Sequence, residues 1–269
     1  MSIITLTTDL GTKDSYLATV KGSIYSQLEN VKIIDISNHI QPFNIYEAAY
    51  ILRNCYRDFP KGTIHIVSVD EELEINAEYI GVLSNGHYFF GTDNGLFSLL
   101  FNEIKPDKII KLNITQDTDC LTFAIKNIFV PAACHISRGG TMEIIGTEIN
   151  DFEVKKSELS AVIEKNNIRG SVIYVDRYGN SITNINKETF ERVRRDRDFI
   201  IQFGRENDNI NKISNKYKDV PISEKLAIFG ENKLLQIAIN QGKSNKLLGL
   251  KLHEIIRIDF KWNHFTKKK

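Results

Sequence analysis

Hydrophobic positions along the first half of the chain alternate between two spacings. Short apolar, β-branched runs, typical of buried strands, stand at 3–8, 31–37 and 63–70. Between these runs, apolar residues recur every three to four positions over 14–28 and 45–59, which predicts two amphipathic helices, the first with Asp14 or Ser15 at its N-cap. Strands that alternate with helices predict βαβ units and a parallel sheet.

The pattern then changes to turns and, later, to strands alone. Asn85-Gly86 separates two apolar runs and predicts a hairpin, and a second turn follows at 92–95. The segment 131–140 is typical of a helix that ends in glycines. Beyond residue 165, short strands are separated by turn residues, with one helix expected at 187–195, which indicates a small β-barrel or sandwich.

The fold class predicted from these patterns is an α/β N-terminal domain with a mainly parallel sheet, followed by a smaller all-β C-terminal domain. The polar segment 151–165 has no motif and is interpreted as a linker. The predicted domains are therefore 1–150 and 166–269.

Composition restricts the classes of function. Hydrophobic residues make up 42% of the chain and charged residues 26%, as in ordinary soluble globular proteins. The formal net charge of +1 gives no reason to expect a nucleic-acid or membrane partner. Cys55, Cys120 and Cys134 are too far apart for a zinc motif, and their odd number does not suggest a disulfide framework. We therefore expect a cytoplasmic protein with no metal site and no bound cofactor.

Acidic residues follow two of the predicted strands. Asp9 comes after the first strand and Asp70 ends the third, so both are expected at the carboxyl edge of the sheet, where α/β proteins bind ligands. A carboxylate there can accept both hydroxyls of a ribose, and Asp14 at a helix start can hold an ammonium group. The alternative is structural, with Asp14 as a helix cap and Asp9 in a turn.

A second candidate site is the stretch VDRYGNSITN at 175–184. Asp176, Tyr178 and Asn180 lie on a turn that Gly179 makes possible. An aromatic ring beside an amide can stack on a purine and hydrogen-bond it. The same residues are also common in a simple hairpin turn, so the pattern by itself indicates only an acidic cleft.

Seven segments in this order resemble one family, the S-adenosylmethionine (SAM) hydroxide adenosyltransferases or SAM hydrolases, which are relatives of the fluorinases and chlorinases. The segments are TLTTDLGTKDSY…KGSI, ISNHIQPFNIYEAAYIL, HIVSVD, FFGTDNGLFS, LTFAIKNIFVPAACH, VDRYGNSITNI and LQIAINQG. The resemblance implies the two-domain fold already predicted. It also implies a homotrimer that binds SAM where the N-terminal domain of one subunit meets the C-terminal domain of the next.

The resemblance also implies roles for individual residues. Asp9 would bind the ribose hydroxyls and Asp14 the methionine amino group, while Phe43 would pack beside the ligand. From the C-terminal domain, Asp176 would contact the methionine moiety, Tyr178 would stack on adenine, and Asn180 would hydrogen-bond it. SAM is then a substrate or ligand rather than a cofactor.

The family's reaction is attack of water on the 5′ carbon of SAM, which releases adenosine and methionine. An aspartate, an arginine and a histidine position and polarise the water. Here Asp70 is retained, but the family's VDPGVG segment reads VDEELE, and the arginine position falls on Ala77. The family's STFHGRD reads LTFAIKN, so the histidine position is Ala124.

These departures leave two hypotheses. The first is a SAM hydrolase of reduced activity with Asp70 as its catalytic residue, in which Glu71, Glu72 or Lys126 substitutes for the missing groups. The second is a catalytically silent homologue that binds SAM or adenosine. Ile125, which replaces the family's glycine, adds apolar bulk and argues against halogenation.

Overall fold

The computed structural model describes residues 2–72, 78–101, 104–115, 122–155, 160–204 and 209–261. The chain divides into two compact units, 1–156 and 157–269. Each unit has its own sheet and its own hydrophobic core. The residue limits inferred from the sequence, with a linker at 151–165, stay a prediction.

The first unit is of the α/β type. Its strands are β1 (Ser2–Thr8), β2 (Val31–Ser37), β3 (Ile64–Ser68), β4 (Tyr79–Ser84), β5 (His87–Thr92), β6 (Lys108–Leu112) and β7 (Gly146–Glu148). Its helices are α1 (Tyr16–Tyr25), α2 (Ile45–Arg53), α3 (Leu96–Phe101), α4 (Val130–Ser137) and α5 (Met142–Ile145). A 3-10 turn at Tyr56–Asp58 follows α2, and a π turn at Ile125–Phe129 leads directly into α4.

The sheet of this unit is mixed rather than mainly parallel. Its described strands lie in the order β2-β1-β3-β5-β4-β6-β7, and only the pairs among β2, β1, β3 and β5 are parallel. The Asn85-Gly86 turn is the reason, because both residues have positive φ, of 54° and 79°, and join β4 to β5 as a tight antiparallel hairpin. The predicted hairpin is confirmed, and the prediction of a mainly parallel sheet is wrong.

Helices cover both faces of this sheet and so form two hydrophobic clusters. One cluster packs α1 and α4 against Ile4 and Leu6 of β1. The other packs α2 and α3 against side chains that include Val67 and Phe89. Helix α1 buries Leu17, Val20 and Ile24, so its N-terminal loop lies beside the end of β1.

The second unit is built mainly of strands. They are β8 (Val162–Ile163), β9 (Asn167–Val175), β10 (Ser181–Asn186), β11 (Phe199–Gln202), β12 (Asn209–Ile210), β13 (Ile213–Ser214), β14 (Lys225–Phe229), β15 (Leu234–Ile239) and β16 (Ile255–Phe260). Two helices, α6 (Lys187–Arg194) and α7 (Ser244–Leu247), and a 3-10 turn at Tyr217–Asp219 complete it. Helix α6 confirms the helix predicted at 187–195.

The strands of the second unit form one curved sheet. They lie in the order β12-β11-β16-β9-β10-β15-β14-β13, with β8 beside β9, and within the described residues only the β13–β14 pair is parallel. Side chains from both halves of this order, such as Ile201 on β11 and Ala227 on β14, share one core cluster. The sheet therefore curls around its own core. None of the described helices has the length and apolar character needed to cross a membrane.

Candidate functional site

Two neighbouring parallel strands bring the first group of candidate residues to one edge of the sheet. Thr8 at the end of β1 is in register with Ser68 at the end of β3, so Asp9 and Asp70 both emerge at this edge. The Oδ2 of Asp9 accepts a hydrogen bond of 3.0 Å from the backbone N–H of Phe43. Asp9 therefore connects the loop after β1 to the loop that carries Phe43, a contact beyond a local turn.

Phe43 is held by this contact in an unusual position. Its φ of 66° is in the left-handed region, which is rare for an aromatic residue, and its side chain is 73% exposed. A strained backbone costs free energy, and a ring as exposed as this one buries little apolar surface in return. Such a ring is suited to contact with a ligand or with another chain.

Asp14 is exposed and makes no hydrogen bond to any described residue. The N-cap of α1 is Ser15, whose side chain does not cap the helix either. The alternative role of Asp14 as a side-chain cap is thus not seen. Its carboxylate is open to solvent five residues after Asp9.

The turn after β3 is anchored at several points. Asp70 has a φ of 53°, and the side-chain amide of Asn94 donates hydrogen bonds to the carbonyls of Val69, at 3.0 Å, and Asp70, at 2.9 Å. The hydroxyl of Thr92 donates to the carbonyl of Glu71 at 3.2 Å. This network fixes the backbone that carries both Asp70 and Glu71.

Glu71 turns back toward the start of the π turn. Its Oε2 accepts hydrogen bonds from the Ser68 hydroxyl and, at 3.0 Å, from the backbone N–H of Ile125. Burial raises the pKa of the Glu71 carboxyl, and the negative charge of Asp9 adds to this, whereas hydrogen bonds from Ser68 and from the backbone of Ile125 and Ala124 oppose the rise in its pKa. The carboxyl of Glu71 is therefore near Asp9.

Of the two positions that the sequence resemblance assigns to water-handling side chains, the structure describes one. Ala124 is fully buried and is the N-cap of the π turn, directly before Ile125. Its methyl group has no polar atom to offer a water molecule. Ala77 lies outside the described residues.

The second unit holds the other candidate residues on one tight turn. Asn180 donates from its backbone N–H to Asp176 Oδ1 and from its side-chain amide to Asp176 Oδ2, each at 2.8 Å. Gly179 has a φ of 84°, and its carbonyl accepts from the hydroxyl of Ser244 at 2.8 Å. The turn is therefore rigid, and Tyr178 at its tip is 77% exposed.

Sequence reasoning missed a buried histidine pair in the first unit. Thr5 Oγ1 lies 2.7 Å from His65 Nδ1, and His65 Nε2 lies 3.3 Å from His87 Nδ1. Burial, together with His87, lowers the pKa of His65 to about 3. No spacing in the sequence predicts this pair, because the two histidines are 22 positions apart and meet only when β3 pairs with β5. The pair is buried beside Phe89 and belongs to the core.

Comparison with known proteins gives matches over most of the chain. Residues 4–146 match the family model of the SAM hydroxide adenosyltransferase N-terminal domain, and residues 170–257 match that of the C-terminal domain. A relative from Methanocaldococcus jannaschii named (R)-S-adenosyl-L-methionine hydrolase is 33% identical over 196 residues, which covers 70% of this chain and 68% of the relative.

Two further relatives extend these matches. A Thermus thermophilus protein with the same name is 25% identical over 253 residues, covering 90% of this chain and 94% of the relative. The crystal structure of an uncharacterized conserved protein from Thermotoga maritima superposes with a TM-score of 0.86 at 28% identity, covering 96% of this chain and 99% of that one.

Proposed function

Because the chain belongs to the SAM hydroxide adenosyltransferase family, we propose that it binds SAM and hydrolyses it to adenosine and methionine. The water oxygen forms a bond to the 5′ carbon, and the bond from that carbon to the sulfonium sulfur breaks. The observation that supports this proposal most strongly is the position of Asp9. It lies at the carboxyl edge of β1, half-buried, with its Oδ2 oriented by the backbone of Phe43.

The proposed contacts with SAM divide between the two units. In the first unit, Asp9 binds the ribose hydroxyls, Asp14 binds the methionine ammonium, and Phe43 packs on the ligand. The exposure of Asp14 and Phe43 supports these roles, because both side chains are open to a ligand. From the second unit, the proposed contacts are Asp176 to the methionine moiety, Tyr178 to the adenine face and Asn180 to the adenine edge.

The family resemblance further supports a homotrimer. In it, the first unit of one subunit and the second unit of the next share each ligand. This arrangement is part of the proposal.

The chemistry places modest demands on the protein. The sulfonium of SAM is a good leaving group, so the protein mainly has to position a water molecule and exclude bulk solvent. Asp70, at the same sheet edge as Asp9, is the proposed catalytic residue retained from the family.

A second candidate function is binding of SAM or adenosine without turnover. The buried methyl group of Ala124 favours it, because this position provides no side chain that can orient water. Binding requires only the ribose, adenine and methionine contacts. Both candidates predict the same dependence on Asp9, and they differ in whether SAM is consumed.

The test is calorimetry with SAM and with adenosine, followed by chromatography of the incubated SAM. We expect Asp9→Ala to weaken binding of both ligands at least about tenfold, because a charged acceptor of two hydroxyls is lost. Asp107→Ala is the matched control, since Asp107 Oδ2 likewise accepts a backbone N–H, from Asn85 at 3.0 Å, but elsewhere in the unit.

Each outcome is informative. Accumulation of adenosine and methionine above a protein-free control supports hydrolysis. Binding with SAM left intact after long incubation supports the silent homologue. Absence of binding to either ligand contradicts both functions.

A further inference from the structure

The carboxyl of Glu71 lies beside Ala124, which stands at the family's histidine position. The Oε2 of Glu71 is 3.0 Å from the backbone nitrogen of Ile125, the residue after Ala124, and the N–H of Ala124 also faces the same carboxyl. Glu71 therefore contacts the backbone at the position where the family's histidine would stand. Position 124 has no polar side chain, but the carboxyl of Glu71 contacts the backbone of Ala124 and Ile125.

The position of this carboxyl is well defined. The Ser68 hydroxyl and the Ile125 N–H donate to its Oε2, and the backbone carbonyl of Glu71 accepts from the Thr92 hydroxyl. Asn94 fixes the two preceding carbonyls. A group held from both backbone and side chain keeps its geometry during a reaction, which is the requirement for orienting a water molecule.

The charges around Glu71 suit a proton acceptor. The titratable groups that interact with it are Asp9 on the loop after β1 and Tyr79 on β4, whose pKa is raised by burial and by Glu71 and Glu72. Asp9 carries a negative charge, so protonation of Glu71 relieves the repulsion between these two carboxylates. Burial and Asp9 raise the Glu71 pKa above its usual range, and a carboxylate with a raised pKa is a stronger base.

We propose that Glu71 positions the attacking water and accepts its proton, in place of the side chain missing at Ala124. The inference rests on the proposed hydrolysis of SAM. Asp9 would hold the ribose, and the 5′ carbon belongs to the same sugar, so a carboxyl near Asp9 is near the reacting carbon. As the oxygen bonds to the 5′ carbon, the proton moves to Glu71, and the carbon–sulfur electron pair leaves with methionine as a thioether. Glu71 then returns the proton to solvent.

The test compares Glu71→Gln with wild type. The glutamine side chain keeps an oxygen acceptor for Ser68 and Ile125 but cannot act as a base in water. We expect the variant to bind SAM within about threefold of wild type and to form adenosine at least about 100-fold more slowly, as for loss of a general base. Glu143→Gln is the control. Glu143 lies in the first turn of α5, forms an ion pair with Lys108 on β6, and is not among the proposed site residues.

A pH profile separates this role from simple capping of the π turn. Adenosine formation by wild type should rise with pH through the Glu71 pKa, and Glu71→Gln should abolish that limb. Ser68→Ala should move the limb to higher pH, because the Ser68 hydrogen bond lowers the Glu71 pKa. A residue that only caps the turn would alter stability and leave the profile in place.

The outcomes distinguish this inference from the proposed function. If wild type hydrolyses SAM and Glu71→Gln is equally fast, or if Glu72→Gln loses the rate instead, the role of Glu71 is wrong and the hydrolase stands. If wild type binds SAM without forming adenosine, both the hydrolysis and the role of Glu71 are wrong, and SAM binding alone remains.

Discussion

At the residue scale, several carboxylates of the first unit hold distant backbone groups. Asp9 accepts from the N–H of Phe43, Glu71 from that of Ile125, and Asp93 from that of Glu153 at 2.8 Å. A charged acceptor strengthens such hydrogen bonds. These contacts fix the loops at the sheet edge, and the proposed site depends on them.

Gly179, in the turn between Asp176 and Asn180, gives a prediction at the residue scale. A Cβ on Gly179 would lie 2.7 Å from the Cβ of Lys243 and 2.8 Å from Asn245 Oδ1, and the φ of Gly179 is 84°. Gly249 has a φ of 70°, and a Cβ added there would have no atom within 4 Å, so Gly249 shares only the backbone strain.

We expect Gly249→Ala to lower the free energy of unfolding by about 1 kcal/mol, through the positive φ. Gly179→Ala should cost at least about 1 kcal/mol more, because overpacking adds to the strain. Urea unfolding of the two variants measures the difference. Equal losses would show that Lys243 and Asn245 move aside freely.

At the scale of elements, α1 and α2 begin in different ways. Asn44 caps α2 through its side chain, which accepts from the N–H of Glu47 at 3.1 Å. Ser15 occupies the N-cap of α1 with helical backbone angles and no such bond. The start of α1 is therefore held by burial of Leu17 and Val20 rather than by its cap.

This contrast predicts the effect of removing each side chain. Asn44→Ala should lower the free energy of unfolding by about 1 kcal/mol, because one backbone N–H loses its acceptor. Ser15→Ala should change it by less than about 0.5 kcal/mol. Thermal or urea unfolding followed by circular dichroism checks both, and a larger loss in Ser15→Ala would contradict the explanation.

At the scale of the whole molecule, the buried histidine pair couples stability to pH. The pKa of His65 falls to about 3 in the folded chain, against 6.5 for an unperturbed histidine, because the ring is buried. Below pH 6.5 the unfolded chain binds a proton that the folded chain does not. Stability is therefore fully present above about pH 6.5 and falls as the pH is lowered toward 3.

We expect His65 to account for a loss of about 2 kcal/mol in the free energy of unfolding between about pH 6.5 and pH 5, at 1.36 kcal/mol per pH unit. His65→Asn, although less stable at neutral pH, should lack this part of the slope. His253→Asn is the control, since His253 is exposed and asparagine tolerates its φ of 69°. Urea unfolding across this pH range tests it, and an unchanged slope in His65→Asn would refute the assignment.

Much of the fold could be predicted because it depends on neighbours in sequence. The strand at 31–37 matches β2 residue for residue, β1 and β3 lie within one or two residues of their predicted limits, and the Asn85-Gly86 hairpin follows from turn chemistry. Spacing did not reveal α3, whose LFSLLF is buried nearly all round and so lacks an amphipathic pattern. Nor did it reveal the π turn before Pro131.

The sequence by itself determined the types of the longer elements, the family resemblance and the acids at the strand ends, because each depends on a local pattern or motif. The tertiary structure alone decided which groups meet. It inserted β4 between β5 and β6, paired His65 with His87, and placed Glu71 on the backbone of Ile125, 54 residues away. A local pattern records the side of an element that is buried but not its partner, because the partner is selected by the packing of the whole unit.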